Sequence, residues 1–417
     1  MTELVIIAVV VFAFAMVSRK LALSPVTAPM VFTAAGVLLG LVGAQWFQLD
    51  LKSEAVSVLV EATLVLVLFT DAVRIDIRAL RKQVLLPLRL LGIGLPLTIV
   101  LGAAAAAALF GQLSLIEAAL IAAILAPTDA ALGQAVVSDT RLPVRIRQAL
   151  NVESGLNDGI MVPVVTVFLA ISAAQTGVVS DQSWGAFAAQ QIGFGIIFGG
   201  GVGALGGWLL SRASREGWVE GIYRQLATIA IAVAAYASAG VVGGNGFIAA
   251  FVAGLAFSAI ARQESRDVQD FTEDEGELLS SITFLVFGAV LAAPLLMSLT
   301  WQIALYVALS LTVVRMLPVL IALAWSRTRL ETRLFIGWFG PRGLASILFA
   351  LLVFDELSGS VADTVFSVAV WTILVSVFAH GATASLWTAR LARRLSGAPE
   401  SAAELKHVQE MPARRRL

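Results

Sequence analysis

Phe339-Gly340-Pro341-Arg342-Gly343 stands in the middle of an apolar run covering residues 330 to 354, and it is a poor continuation of a helix. Proline removes a backbone donor and clashes with the preceding turn, and glycine on either side loosens the chain further. A second apolar run, residues 114 to 137, is interrupted in its own middle by Ala126-Pro127-Thr128-Asp129. One such proline is more often a simple kink. Two in corresponding runs, each followed by a charge, point instead to unwound backbone with a purpose, because such backbone persists at membrane depth only where protein or a water-filled cavity surrounds it.

The surrounding composition places these runs in a bilayer. Hydrophobic residues make up 59% of the 417 positions and charged residues 13%, and the mean hydropathy is +0.91, values outside the range of water-soluble folds of this size. The formal net charge is zero and cysteine is absent. No basic excess suits a nucleic-acid partner, disulfides and thiolate chemistry are excluded, and only His380 and His407 are available, which argues against a His-based metal centre or triad. Met1-Thr2-Glu3 lacks the basic region of a cleavable signal peptide, so the first apolar run is expected to be retained.

A bilayer span needs about 20 apolar residues. Charges and Gly/Pro punctuation divide the chain into thirteen such runs, at 4–18, 27–45, 54–74, 84–110, 114–137, 145–172, 188–211, 222–241, 244–262, 276–297, 300–325, 330–354 and 361–390. The lysines and arginines test that division, since cytoplasmic loops collect them. Arg19 and Lys20; Arg74, Arg78, Arg81 and Lys82; Arg141, Arg145 and Arg147; Arg212, Arg215 and Arg224; Arg262 and Arg266; and Arg327, Arg329 and Arg333 fill alternate loops, and Arg390, Arg393, Arg394, Lys406 and Arg414 to Arg416 fill the tail. Only Lys52 falls in an external loop, while Arg89, Arg315 and Arg342 lie inside apolar runs. The N-terminus is thus expected outside and the C-terminus in the cytoplasm of an inner-membrane protein. Residues 395–417 turn polar and read as a short, flexible cytoplasmic tail.

The broken runs are the fifth and the twelfth, so runs one to six and eight to thirteen form two six-helix halves with the seventh as connector. Seven runs separate equivalents, which gives the halves opposite orientation. Broken helices at matching places in inverted halves mark a secondary transporter site near the bilayer midplane. The expected fold is therefore an all-α membrane protein of thirteen transmembrane helices, with two inverted six-helix repeats and two broken helices that cross.

Each ionisable group at mid-membrane costs at least about 2.5 kcal/mol on insertion scales, so each needs a partner or a purpose. The candidates are Glu61, Asp129, Glu153, Asp158, Arg315 and Arg342. Within Asn151-Val152-Glu153-Ser154-Gly155-Leu156-Asn157-Asp158-Gly159, a spacing of four stacks Glu153 over Asn157 and Ser154 over Asp158. At about 1.5 Å per residue, Asp158 lies roughly 20 Å into a span about 30 Å thick. Hard cations take oxygen ligands. Thr128, Ser154 and Asp158, with carbonyls freed at Pro127, supply such a shell, and one carboxylate can hold either a cation or a proton. Asp129, Glu153, Arg315 and Arg342 also admit a purely structural reading as buried ion pairs, which Asp158, with no matching arginine left over, does not. Gly199, Gly203 and Gly207 recur every four residues as a close-packing face, and Thr272 with Glu273-Asp274-Glu275 reads as a capping box.

Taken together, Glu153-Ser154-Gly155-Leu156-Asn157-Asp158-Gly159, Thr128-Asp129, Arg315, Gly340-Pro341-Arg342-Gly343 and Leu68-Phe69-Thr70-Asp71 resemble sodium/proton antiporters of the NhaP and NHE type, within the monovalent cation/proton antiporters, over nearly the whole apolar region. The resemblance implies a homodimer, with residues 1–83 and 185–299 forming the dimerisation part and 84–184 and 300–394 the ion-transporting core. It implies that Asp158 exchanges ion and proton with Ser154 and Thr128 as further ligands to Na+ or a similar ion, that Glu153 pairs with Arg315, and that Arg342 steadies the helix crossing. Asn157 stands where electrogenic relatives of this fold place a second aspartate, which implies electroneutral one-for-one exchange; Asp129 and Glu153 are the alternatives for any second titrating group. The sequence departs from the pattern at Thr70-Asp71, where many members carry an acidic residue directly after phenylalanine, and at Ala130, where proline is usual.

The expected function is secondary exchange of Na+, or alternatively K+ or Li+, for H+, with a part in pH homeostasis and no enzymatic activity or cofactor. Its expected partners are monovalent cations, protons and the lipid bilayer. An intramembrane aspartyl protease using Asp129 and Asp158 is the rival from another class, but the Gly-x-Gly-Asp setting is absent and the buried arginines find no role in it. A channel would lack saturable, coupled flux.

Overall fold

The computed structural model describes residues 2–21, 24–42, 54–75, 85–129, 132–175, 184–261, 275–357, 359–397, 399 and 402–406. Lys52, Arg78, Arg81, Lys82, Ala130, Arg262, Arg266, Thr272 to Asp274, His407 and Arg414 to Arg416, on which some of the loop, cap and family readings rest, lie outside them. Among the described residues the chain is helical throughout. The helices are α1 (Thr2–Leu21), α2 (Ala28–Val42), α3 (Glu54–Arg74), α4 (Leu85–Leu109), α5 (Leu115–Ile124), α6 (Gln134–Val137), α7 (Val144–Gln175) and α8 (Trp184–Arg215). They continue with α9 (Gly221–Val241), α10 (Gly246–Ile260), α11 (Glu275–Leu295), α12 (Trp301–Leu311), α13 (Val313–Ala322), α14 (Leu330–Trp338), α15 (Leu344–Glu356) and α16 (Ser360–Leu395).

Among the described residues nine stretches are long and apolar enough to cross a membrane, and α2, α5 and α10 are shorter apolar helices. The protein is a multi-pass membrane protein. Both interruptions expected from proline occur: α5 stops at Ile124 and helix resumes only at α6, while α14 stops at Trp338 and α15 begins at Leu344. A third interruption carries no Pro or Gly signal. Thr312, at φ −113° and ψ −92°, separates α12 from α13, so Arg315 lies in the first turn of a fresh helix instead of continuing an old one. Two π-helical turns, Leu90–Gly94 in α4 and Phe287–Ala292 in α11, were equally silent in the sequence.

The chain divides into two compact units. The first comprises Met1–Val60, Leu85–Ser154 and Leu279–Leu417, and the second Glu61–Val84 and Gly155–Leu278. In the first unit α2 lies directly on α11: a side chain on Gly36 would overlap the Leu285 carbonyl, and one on Gly288 the Thr33 carbonyl. Lipid tails are as apolar as leucine, so such helices associate through close van der Waals packing, and small residues permit it. α5 opens with a capping box in which Ser114 accepts from the Glu117 amide (3.3 Å) and Glu117 from the Ser114 amide (2.7 Å), which accounts for a buried glutamate.

The second unit uses the same packing device. The Gly199 and Gly203 faces of α8 rest on the backbone of Ala249 and Ala253 in α10, and a Cβ on Gly207 would stand 3.3 Å from the Phe257 ring, as the four-residue spacing predicted. Asn245 caps α10 through the Phe247 and Ile248 amides. Glu61 accepts a hydrogen bond from the Tyr236 hydroxyl (3.1 Å), and buried Asp71 pairs with Arg74 at 3.3 Å.

Within the tail, the described residues 402–406 dock on the first unit. Glu404 is 1% exposed, and its Oε1 accepts from the Arg329 amide (2.6 Å) and the Thr332 hydroxyl (3.1 Å). A carboxylate at the first turn of α14 satisfies an amide the helix leaves orphaned and meets the positive end of its dipole. Arg145 donates to the Ala403 carbonyl beside it.

Candidate functional site

The two interruptions meet each other within the first unit. Pro127 ends α5, and the Ile124 carbonyl, which residue 128 would have satisfied in a continued helix, instead accepts the Ser346 hydroxyl at 2.7 Å. Past the break the Asp129 amide donates to the Pro341 carbonyl (2.8 Å), so the unwound backbones are joined. The Asp129 carboxylate accepts the Leu132 amide through Oδ1 (2.9 Å) and the Leu344 amide through Oδ2 (2.7 Å). Leu344 is the first residue of α15, and a carboxylate there completes the helix N-terminus. Asp129 thus acts as a cap brought in from another segment. The approach is close enough that a Cβ on Gly343 would overlap this carboxylate.

Gly340 fills the same role on the other side of the break, since a Cβ there would lie 2.6 Å from Arg315 Nε and 2.9 Å from Thr128 Cγ2. Arg315 and Glu153 form an ion pair at 2.7 Å, with side-chain exposures of 1% and 3%. Arg342 is fully buried; its Nη1 donates to the Gly340 carbonyl at 2.8 Å, folding the guanidinium back over the break. The arginines therefore divide their work: Arg315 balances Glu153 and Arg342 braces the backbone of its own interruption.

Thr128 and Ser154 hydroxyls lie 2.9 Å apart, both buried. Ser154 sits at the point where α7 passes from the first unit into the second, which begins at Gly155. In this uninterrupted helix Ser154 and Asp158 are one turn apart on one face. Asp158 is 6% exposed and Asn157 is wholly buried, both counted in the second unit. In the same unit Gly155 faces Asp71 and Gly159 faces the Phe251 ring. Among the described residues no group of three or more His, Cys, Asp or Glu could hold a metal ion.

Sequence reasoning missed Ser346, Ser376 and His380. Ser376 accepts the Arg342 amide (2.8 Å), and His380 faces the Trp338 carbonyl (2.8 Å). Their signal was present as polar residues four apart inside an apolar run, but no single-chain pattern says which carbonyl or amide they meet.

The sodium/hydrogen exchanger, transmembrane, family profile matches residues 5–390. A K(+)/H(+) antiporter NhaP2 of Shewanella sp. (strain ANA-3) is 28% identical over 368 residues, covering 87% of this chain and 62% of that protein. The chain therefore spans less than two thirds of that relative's length. A Na(+)/H(+) antiporter of Schizosaccharomyces pombe is 26% identical over 311 residues, covering 66% of this chain and 64% of that protein. The structure of the sodium proton antiporter MjNhaP1 from Methanocaldococcus jannaschii at pH 8 superposes with a TM-score of 0.77 at 18% identity, covering 91% of this chain and 98% of that one.

Proposed function

The chain belongs to the sodium/hydrogen exchanger family, and from that premise we propose that it exchanges a monovalent cation for a proton across the cytoplasmic membrane by alternating access at Asp158. One observation carries the reading: a buried carboxylate stands one helical turn from Ser154, whose hydroxyl is bonded to Thr128 at the break after α5. Three oxygen-bearing side chains and unwound carbonyls suit a dehydrated hard cation. Protonation of Asp158 removes the charge that holds the cation, so the two ligands compete. Asn157 adds a neutral amide beside it, and Asp129, with both oxygens accepting from amides, holds the two breaks together.

With Glu153 balanced by Arg315, one titrating carboxylate per protomer gives one proton per monovalent cation, and the cycle is electroneutral. The expected architecture follows the same reading: thirteen crossings in two inverted halves, N-terminus outside and C-terminus in the cytoplasm, with the breaks of α5–α6 and α14–α15 as the crossing point. Residues 84–184 and 300–394 act as the moving core and 1–83 and 185–299 as the dimer-forming part of a homodimer. Na+ is the cation of first choice. K+ is the second reading, favoured by the relatives named K(+)/H(+) antiporters. Everted vesicles carrying the protein, challenged in turn with Na+, Li+ and K+ while internal pH is followed, test both. A proton flux with none of the three ions would overturn the exchange reading, and a flux with K+ alone the choice of Na+.

A further inference from the structure

In an unbroken helix the Arg342 amide would donate to the Trp338 carbonyl, four residues back. The interruption at 339–343 separates those two groups, yet they remain connected. The Arg342 N–H donates to Ser376 Oγ (2.8 Å), Ser376 Oγ lies 3.1 Å from His380 Nδ1, and His380 Nε2 lies 2.8 Å from the Trp338 oxygen. Chemistry sets the direction. A carbonyl can only accept, so Nε2 carries the hydrogen; an amide N–H can only donate, so Ser376 Oγ accepts it and has its own hydrogen left for Nδ1. Nδ1 also lies 2.9 Å from the Ser376 carbonyl, which makes no bond to an unprotonated nitrogen.

We propose that Ser376 and His380 form a positioning relay that replaces the missing 342-to-338 backbone bond and so fixes where the unwound segment holds Asp129 and Thr128. Both side chains are at most 2% exposed, and both belong to one unit with the segment they bridge. The near end is anchored further. The Trp338 indole N–H donates to Thr383 (2.9 Å), and its ring stacks on Trp387 with centroids 5.4 Å apart. Ser376, His380, Thr383 and Trp387 recur at intervals of four, three and four, so one face of α16 grips the inner edge of the break. The far end leads to the site, because the Pro341 carbonyl next to Arg342 holds the Asp129 amide, and Thr128 precedes Asp129.

The relay touches neither cation nor titrating carboxylate. Loosening it displaces an oxygen ligand without changing any charge, so it acts on cation affinity more than on turnover. The inference rests on the exchange reading, and two measurements separate them. In proteoliposomes His380→Leu should raise the apparent cation KM about tenfold, the scale of one lost buried hydrogen bond, with maximal rate held within about twofold. His380→Gln, whose amide offers both a donor and an acceptor, should recover KM to within about threefold of the unmutated protein. Hydrogen–deuterium exchange of the full chain, read on the peptide containing Arg342, should show lost protection in the Leu variant and regained protection in the Gln variant. Ser376→Ala should behave as His380→Leu does, and it serves if the Leu variant fails to fold. Unchanged KM and unchanged Arg342 protection in a folded Leu or Ala variant would overturn the relay, as would a Gln variant no better than Leu. Absence of exchange by the unmutated protein, with the protection pattern as expected, would overturn the exchange reading alone.

Discussion

Glu153→Gln keeps the size of the side chain but leaves the Arg315 guanidinium, 1% exposed, without its carboxylate at 2.7 Å. Unit charges at 2.7 Å attract by about 6 kcal/mol at an effective dielectric constant near 20. The glutamine amide still turns the negative end of its dipole toward the guanidinium, so the expected net destabilisation is about 3 kcal/mol, the lower end of the range for one-sided removal of a buried pair. Arg315→Met strands the opposite charge and should cost a similar amount. Removing both, in Glu153→Gln/Arg315→Met, should bring stability to within about 1 kcal/mol of the starting protein, because no uncompensated charge then remains. The assay is denaturant-induced unfolding of the four purified proteins in detergent, arranged as a double-mutant cycle. A double mutant that loses the sum of the two single losses would refute the claim that the pair is a coupled structural unit.

Asp158→Asn preserves shape and removes the titrating charge, so it should abolish exchange while the protein inserts and elutes from detergent as the unmutated one does; exchange at more than a small fraction of the normal rate would sink Asp158 as the exchange site. In proteoliposomes the coupled equilibrium should not move when valinomycin and a K+ gradient impose a potential, and a voltage-dependent shift would mean a second titrating group such as Glu153 or Asp129. Gly343→Ala drives a methyl into the Asp129 carboxylate and should cost ~2 kcal/mol by weakening a bond between a charge and an amide, whereas Gly201→Ala, with open space around it, should be neutral or stabilising by about 0.5 kcal/mol; equal unfolding midpoints for the two would contradict the packing. Glu404→Ala removes the acceptor of the Arg329 amide and the Thr332 hydroxyl and should expose the tail to trypsin several-fold faster, on the scale of a lost cap of ~1 kcal/mol.

The sequence by itself carried the solvent, the helices and the two proline-driven interruptions, because hydropathy and the missing proline N–H are local properties that each run displays on its own. It also carried the candidate set of Thr128, Ser154, Asp158, Glu153, Arg315 and Arg342, since charge in an apolar run is conspicuous whatever surrounds it. Partners were another matter. That Glu153 faces Arg315 was open on the residues alone, and that Asp129 joins its local bond to the Leu132 amide with one to the Leu344 amide was not visible at all, because a hydrogen bond across more than two hundred residues depends on how the breaks meet. The interruption at Thr312, the π-turns in α4 and α11, the docking of Glu404 and the bridging of Trp338 to Arg342 by His380 and Ser376 arose in the same way. Helix geometry is set within about one turn of chain, whereas the satisfaction of orphaned amides and carbonyls is set by whichever polar group the packed neighbours bring within 3 Å.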